Sequence, residues 1–169
     1  MKSEYSGEAL VVPDGPQIQF VPPILAKDDA PCVMQALLPA GFVMPIHSHK
    51  DREVFVLLTG QAEGYDGTGW VTVREGDIFD VPGGCKHAWR NTTAEPASML
   101  IVATARLGHF FRELARLAAA RTSELPSQEE LRHFQKLAAE YGYWMGSPEE
   151  NAAVGIAVPR PAREKLARD

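Results

Sequence analysis

Glycine and proline are concentrated in the first part of the chain, where they separate short β-prone runs. Most of the 14 Gly and 13 Pro residues lie before residue 97. Asp66-Gly67, between the runs 61–65 and 70–74, is typical of a β-hairpin turn. Many short strands separated by turn residues indicate an all-β sandwich or barrel for residues 1–104. Further strands are predicted at 17–21, 32–38, 54–58 and 98–103.

The hydrophobic pattern takes a helical period after residue 105. Leu125-Pro126 breaks the first predicted helix, and Ser127-Gln128-Glu129-Glu130 predicts a capping box that starts a second, which Gly142 or Gly146 would end. We therefore expect residues 105–158 to form a two-helix extension packed on the barrel, and the polar residues 159–169 to be a loose tail. The apolar positions of the first helix are Phe110, Phe111, Leu114, Leu117 and Ala118.

Composition narrows the classes of partner. The 17 Lys and Arg against 22 Asp and Glu leave a net charge of −5, and no long basic block stands out. This balance disfavours nucleic acid and anionic membranes as partners. No run of residues approaches the roughly 18 apolar residues of a membrane span. The start of the chain does not resemble a secretory signal and there are two cysteines, Cys32 and Cys85, so we expect a cytoplasmic location without disulfides.

Histidine and glutamate are spaced for metal binding near the middle of the chain. On a strand, His47 and His49 point to the same face, roughly 6.6 Å apart along the backbone. The three residues 50–52 can turn the chain, so that Glu53 returns opposite them on the next strand. His87 must come from another strand brought near by the fold. Three imidazoles and one carboxylate form a borderline site for a divalent transition metal.

Two motifs connect these residues with a known family. The first is Gly41-x5-His47-x-His49-x3-Glu53-x6-Gly60, and the second is Gly76-x5-Pro82-x-Gly84-x2-His87-x3-Asn91. Both closely resemble the signature motifs of the cupin superfamily, and all ten fixed positions are met. The 15 residues 61–75 between the motifs are similar to the compact spacer of small bacterial cupins. The resemblance implies a double-stranded β-helix, or jelly roll, in which each motif contributes to one metal site.

The resemblance also implies the metal ligands. By position they are His47, His49, Glu53 and His87, which would hold one divalent ion such as Fe, Mn, Ni, Co or Zn. The segment from Gly108 to Leu114, after the barrel, resembles that of quercetin-dioxygenase-like cupins. Small cupins are commonly homodimers, and the apolar residues 8–25 are expected to join a partner's sheet.

The alternation of side chains along a strand predicts which residues surround the metal. If Glu53 and His87 point inward, so do the side chains two and four residues further along, which are Phe55, Leu57, Trp89 and Asn91. These are the candidate substrate-binding residues, although Phe55 and Trp89 can equally be barrel core. No inward Lys or Arg is expected on these two strands, which favours an apolar, aromatic substrate over a dicarboxylate.

Three functions are compatible with these residues. The first is a metal-dependent dioxygenase of quercetinase-like or related type, acting on a small aromatic or enol substrate, with Glu53 as both ligand and proton acceptor. The second is a non-redox isomerase, cyclase or lyase that uses the metal as a Lewis acid. The third is a module that binds a small ligand without turnover. One barrel runs many chemistries, so the motifs predict the fold and the metal ligands more sharply than the reaction.

Overall fold

The predicted strands and helices are present in the order predicted, and the structure adds short strands at Ala9–Val11, Ile78–Val81 and Trp144–Met145 and a helix at Pro148–Ala153. The computed structural model describes residues 9–11, 17–20, 30–119 and 128–157. The helices are α1 Ala105–Ala119, α2 Gln128–Glu140 and α3 Pro148–Ala153. The strands are β1 Ala9–Val11, β2 Gln17–Phe20, β3 Pro31–Leu38, β4 Val43–Ser48, β5 Glu53–Thr59, β6 Gln61–Tyr65, β7 Trp70–Arg74, β8 Ile78–Val81, β9 His87–Arg90, β10 Ala97–Thr104 and β11 Trp144–Met145.

The strands form two antiparallel sheets. One has six strands in the order β1-β2-β3-β10-β5-β8, and the other has five in the order β11-β4-β9-β6-β7. Consecutive strands β4 and β5 lie in different sheets, as do β9 and β10. This crossing from one sheet to the other is the double-stranded β-helix of cupins, and it confirms the predicted all-β fold class.

The core lies between the two sheets. Buried and more exposed residues alternate along β3 and the first five residues of β5, as expected for strands with one face toward the interior. In β5 the inward residues are Glu53, Phe55 and Leu57, which is the predicted parity. The remaining inward positions of the six-stranded sheet include Ile18, Phe20, Met34, Ala36, Leu38, Met99 and Ile101.

The hairpin at residues 61–74 is confirmed, and its turn shows why the chain reverses there. Gln61 pairs with Arg74 and Tyr65 with Trp70. The Asp66 carboxylate accepts hydrogen bonds from the backbone N–H of Thr68 at 2.8 Å and of Gly69 at 3.0 Å. Gly67 has a φ of 94°, which a residue with a Cβ adopts only with strain.

The helices α1 and α2 confirm the two-helix extension, but β11 and α3 were not predicted. The helix α3 has a full capping box: the Glu150 N–H donates to the Ser147 hydroxyl, and the Ser147 N–H donates to the Glu150 carboxylate. The sequence Ser147-Pro148-Glu149-Glu150 carries this signal. By contrast, β11 has two residues, and its structure depends on pairing with β4. The capping box predicted at Ser127 and the tail 159–169 lie outside the described residues.

The N-terminal strands join the chain's own sheet. In this single chain, Ala9 pairs with Gln19 and Gln17 with Leu37, so that β1 and β2 extend the six-stranded sheet. The expectation that residues 8–25 join a partner's sheet stays a prediction, as does the homodimer. In the described part of the chain, no helix is both long and apolar enough to cross a membrane.

Candidate metal centre

Both sheets contribute to one cluster of polar side chains. His47 lies on β4 and His87 on β9, and the two residues are antiparallel partners in the five-stranded sheet. His49 follows β4 directly. Glu53 begins β5 and reaches the cluster from the six-stranded sheet, where it pairs with Val81. The turn at residues 50–52 therefore carries the chain across the barrel, which is how residues four apart in sequence face each other.

The four side chains converge on a single point. One possible ligand atom from each lies within 4.8 Å of the others. The Oε2 atom of Glu53 is 3.1 Å from His49 Nε2 and 3.1 Å from His87 Nε2. All four residues are buried, with exposures of 1–4%. A buried group of three imidazoles and one carboxylate could hold a divalent metal ion.

Hydrogen bonds to backbone carbonyls orient two of the rings. His47 donates from Nδ1 to the Pro45 oxygen at 2.8 Å, and His87 donates from Nδ1 to the Cys85 oxygen at 3.1 Å. A neutral ring that donates through Nδ1 presents a lone pair at Nε2, which suits a metal. Next to the Glu53 carboxylate, such lone pairs repel unless a cation or a proton lies between them. The residues present therefore fit a metal ion.

The environment also sets the charge of the ligands. Burial, together with repulsion from His87, lowers the pKa of His47 to about 3, so this ring is neutral at pH 7. Burial alone would raise the pKa of the Glu53 carboxyl. Hydrogen bonds and attraction from His49 and His87 outweigh burial and hold that pKa at about 2. An anionic carboxylate and a neutral imidazole are the forms that bind metal.

The cluster opens on a small apolar cavity with a volume of about 50 Å³. Phe55 and Trp89 line it, as parity predicts. Among the described residues that line the cavity, none is Lys or Arg. The Trp89 indole Nε1 and His49 Nδ1 are buried without a hydrogen-bond partner in the described part of the chain. Unpaired buried polar atoms are costly, so they indicate a ligand or water that completes this site.

Leu57 and Asn91, the other two candidate substrate residues, do not line this cavity. Leu57 points inward but lies one inward position beyond Phe55, in the packed core. Asn91 follows the last residue of β9, where the chain turns. Its Nδ2 donates to the carbonyl oxygens of Leu38 and Glu95, at 3.1 and 2.8 Å. Strand alternation predicts the direction of a side chain but not its depth along the barrel, and a role in substrate binding for these two residues stays a prediction.

The C-terminal extension contributes residues to the site that were not predicted from the sequence. Tyr143 lines the cavity beside Met44 and Phe111. Burial, with the nearby Glu53 charge, raises the pKa of the Tyr143 hydroxyl well above its ordinary value, so it is an uncharged phenol at neutral pH. Tyr143 lies more than 50 residues from the nearest ligand in sequence, and no spacing rule connects it to the metal site.

Comparison with known proteins supports the fold and the superfamily. Residues 33–103 match the family model described as Cupin domain. No curated protein sequence matches the chain significantly. A sugar phosphate isomerase from a cupin superfamily, from Silicibacter pomeroyi, is 22% identical, with a TM-score of 0.52 over 59% of this chain and 71% of that one. A predicted oxalate decarboxylase from Thermotoga maritima is 21% identical, with a TM-score of 0.51 over 62% of this chain and 96% of that one.

These findings support a fold and a superfamily for the barrel, but they do not identify its reaction. The match to the Cupin domain over residues 33–103 supports the cupin superfamily for the barrel. At this level of identity, the two solved structures show a shared fold alone. The chemistry must therefore be inferred from the cluster and its cavity.

Proposed function

We propose that this protein is a metal-dependent cupin enzyme, and specifically a dioxygenase that acts on a small, uncharged aromatic or enol-type substrate. The observation that carries the proposal is the buried cluster of His47, His49, Glu53 and His87 opening on an apolar cavity. The quercetin-dioxygenase-like subtype belongs to this proposal.

Each residue of the cluster and of the cavity has a separate role in this proposed reaction. When bound by the four ligands, a divalent transition metal supplies a Lewis acid that makes a substrate hydroxyl more acidic. The Glu53 carboxylate is ionised at neutral pH, and it is the group of this cluster that can accept that proton. Phe55 and Trp89 exclude water from the reacting oxygen atoms. Among the described residues the Trp89 Nε1–H has no hydrogen-bond acceptor, so it can orient a carbonyl or hydroxyl oxygen of a substrate.

The charge of the cavity argues against the substrates named for the two structural neighbours. Oxalate and sugar phosphates are anions, and their recognition generally uses Arg or Lys beside the metal. The described lining of this cavity has neither. An uncharged substrate that becomes anionic only on binding to the metal fits this lining better.

Reconstitution with metals and an oxygen-uptake screen test the proposal. Purified protein would first be assayed for bound metal and then loaded separately with Fe, Mn, Co, Ni or Zn. Oxygen consumption would be measured with catechols, hydroxyketones and, as a larger probe, a flavonol. We expect uptake with at least one redox-active metal. The His87→Ala variant, which loses one ligand, should show neither the metal nor the activity.

Two other outcomes identify the alternatives. Turnover with Zn²⁺ under anaerobic conditions would replace the dioxygenase with a non-redox isomerase, cyclase or lyase. Recovery of a bound small molecule unchanged, without turnover by any metal form, would indicate a ligand-binding module. If no metal form consumes oxygen with any of these substrates, the dioxygenase proposal fails.

A further inference from the structure

The segment Tyr141–Met145, here called the cover segment, closes one side of the metal cluster. It leaves α2 through Gly142, whose φ is 64°. Within it, the Tyr143 N–H donates to the Ala138 carbonyl at 2.7 Å. Its last two residues form β11, in which Met145 pairs with His47. The cover segment is thus bonded both to the helical extension and to the strand that carries a metal ligand.

The Tyr143 ring is stacked between the metal ligands and the extension. Its centroid lies 5.0 Å from that of His47, with 9° between the ring planes. It lies 5.2 Å from the centroid of His49, at 27°. Phe110 of α1 stacks on it at 4.6 Å and 23°. These contacts fix the ring against two of the four ligands.

A buried ion pair holds the cover segment to the loop that carries the ligands. Asp51, between His49 and Glu53, pairs with the Arg106 guanidinium of α1. The same guanidinium donates from Nη1 to the Tyr141 carbonyl oxygen at 2.7 Å. Thr104 donates a further hydrogen bond to Asp51 at 2.5 Å. One cation therefore bonds to both the ligand loop and the start of the cover segment, which limits independent movement of the two.

We propose that Tyr143 determines the size of the ligands that reach the metal, and that its aromatic ring, rather than its hydroxyl, does so. This inference rests on the metal site of the proposed function and adds its specificity-determining residue. The cavity is small, Tyr143 forms part of its wall, and its ring stacks on both His47 and Phe110. Removal of the ring enlarges the space beside His47 without removing a metal ligand.

Cobalt-loaded protein and two hydroxamates test this inference. Acetohydroxamate and benzohydroxamate bind metals through the same two oxygen atoms and differ in the size of one substituent. Their dissociation constants would be measured from changes in the Co²⁺ visible absorption spectrum, a readout independent of catalytic activity. The variants are Tyr143→Ala and Tyr143→Phe. Tyr65→Ala is the control, because Tyr65 packs on Trp70 and does not line the cavity.

We expect Tyr143→Ala to bind benzohydroxamate at least tenfold more tightly than the unmodified protein, with less than a threefold change for acetohydroxamate. Tyr143→Phe and Tyr65→Ala should keep the original preference. Equal changes for both probes, or no change, in a Tyr143→Ala variant that still binds cobalt would overturn the inference. If the unmodified protein binds no cobalt, the proposed metal site fails instead. If Tyr143→Ala does not fold, Tyr143→Leu and Tyr143→Val shorten the side chain in steps and should bind benzohydroxamate with stepwise higher affinity. No increase in affinity in these two variants would contradict the inference.

Discussion

The charge state of the metal ligands depends on burial inside the barrel. His47 is 4% exposed and Glu53 is 2% exposed. In the folded chain both groups have a pKa below the ordinary value: about 3 for His47 and about 2 for Glu53. In each case the unfolded chain binds protons more readily than the folded chain, so acid favours unfolding. The same burial that keeps the site ready for metal makes the barrel sensitive to acid.

The free energy of unfolding of the metal-free protein should therefore decrease as the pH is lowered. The contribution of His47 is present above its unfolded pKa of about 6.5 and is lost as pH falls toward 3. The slope approaches about 1.4 kcal/mol per pH unit for this one group below pH 6. The contribution of Glu53 is lost at lower pH, from about 4.5 down to 2. Urea unfolding of chelator-treated protein between pH 7.5 and 5 measures the slope. His47→Gln should flatten it, and an equally steep slope in that variant would contradict the assignment.

A close backbone contact explains one glycine between the fixed positions of the second motif. A Cβ at Gly83 would lie 2.2 Å from the carbonyl oxygen of Lys50, in the loop between His49 and Glu53. Gly84 also donates from its N–H to the His49 carbonyl at 2.7 Å. The turn at 83–84 therefore supports the ligand loop through its backbone.

Gly83→Ala should displace that loop. We expect a loss of about 2 kcal/mol in the free energy of unfolding, as for overpacking in a rigid site, and a weaker affinity for Co²⁺. Gly69→Ala is the matched control, because a Cβ there meets nothing within 4 Å among the described residues. Chemical unfolding and a cobalt titration measure the two effects. Equal changes in the free energy of unfolding and in Co²⁺ affinity for the two variants would show that the close contact with Lys50 does not position the loop.

At the scale of secondary structure elements, the ion pair of Asp51 and Arg106 connects the ligand loop to α1. The side chain of Asp51 is 6% exposed and that of Arg106 is 19% exposed. The chain has a second Arg–Asp pair, Arg52 with Asp80, whose side chains are 68% and 40% exposed. Water screens the exposed pair, so the two should differ greatly in their contribution to stability.

Asp51→Ala should therefore destabilise the chain by about 3 kcal/mol, because it leaves the Arg106 charge largely buried and unpaired. Asp80→Ala, its exposed counterpart, should cost less than about 1 kcal/mol. Urea unfolding of both variants and of the double variant Asp51→Ala/Arg106→Ala provides the comparison. A double variant more stable than Asp51→Ala alone supports the penalty of an unpaired charge. Similar losses for Asp51→Ala and Asp80→Ala would contradict the role of burial.

Across the molecule, the candidate metal centre joins the two sheets. Its ligands come from β4 and β9 on one side and from β5 on the other. A metal that binds the folded chain and not the unfolded chain stabilises the whole barrel by mass action. This linkage gives a measurement that requires no knowledge of the substrate.

Metal should raise the melting temperature, and a chelator should lower it. At a free metal concentration of about 1,000 times Kd, the stabilisation is about 4 kcal/mol, which for a chain of 169 residues corresponds to about 10 °C. Calorimetry with Co²⁺ or with chelator measures the shift at neutral pH. His87→Ala should show no such shift. If chelator leaves the melting temperature of metal-loaded protein unchanged, the cluster does not hold a structural metal.

Short-range patterns in the sequence determined most of the barrel and the four candidate ligands. The hairpin at residues 61–74 follows from Asp66-Gly67 and the flanking runs, and the period of two puts Glu53 and Phe55 on one face. The hairpin and the facing residues depend on turn chemistry and strand geometry over a few residues, which the local sequence specifies. The full set of candidate ligands, with His87, was predictable only through the resemblance of the two motifs to those of cupins.

Only the tertiary structure decided which sheet each strand joins and what surrounds the cluster. The stacking of Tyr143 on His47 and the pairing of Asp51 with Arg106 connect residues more than 50 positions apart. It also decided that Asn91 closes a turn and does not line the cavity. No periodicity links such residues. Their contacts depend on how β4, β5 and the C-terminal extension pack against one another, which is a property of the whole folded chain.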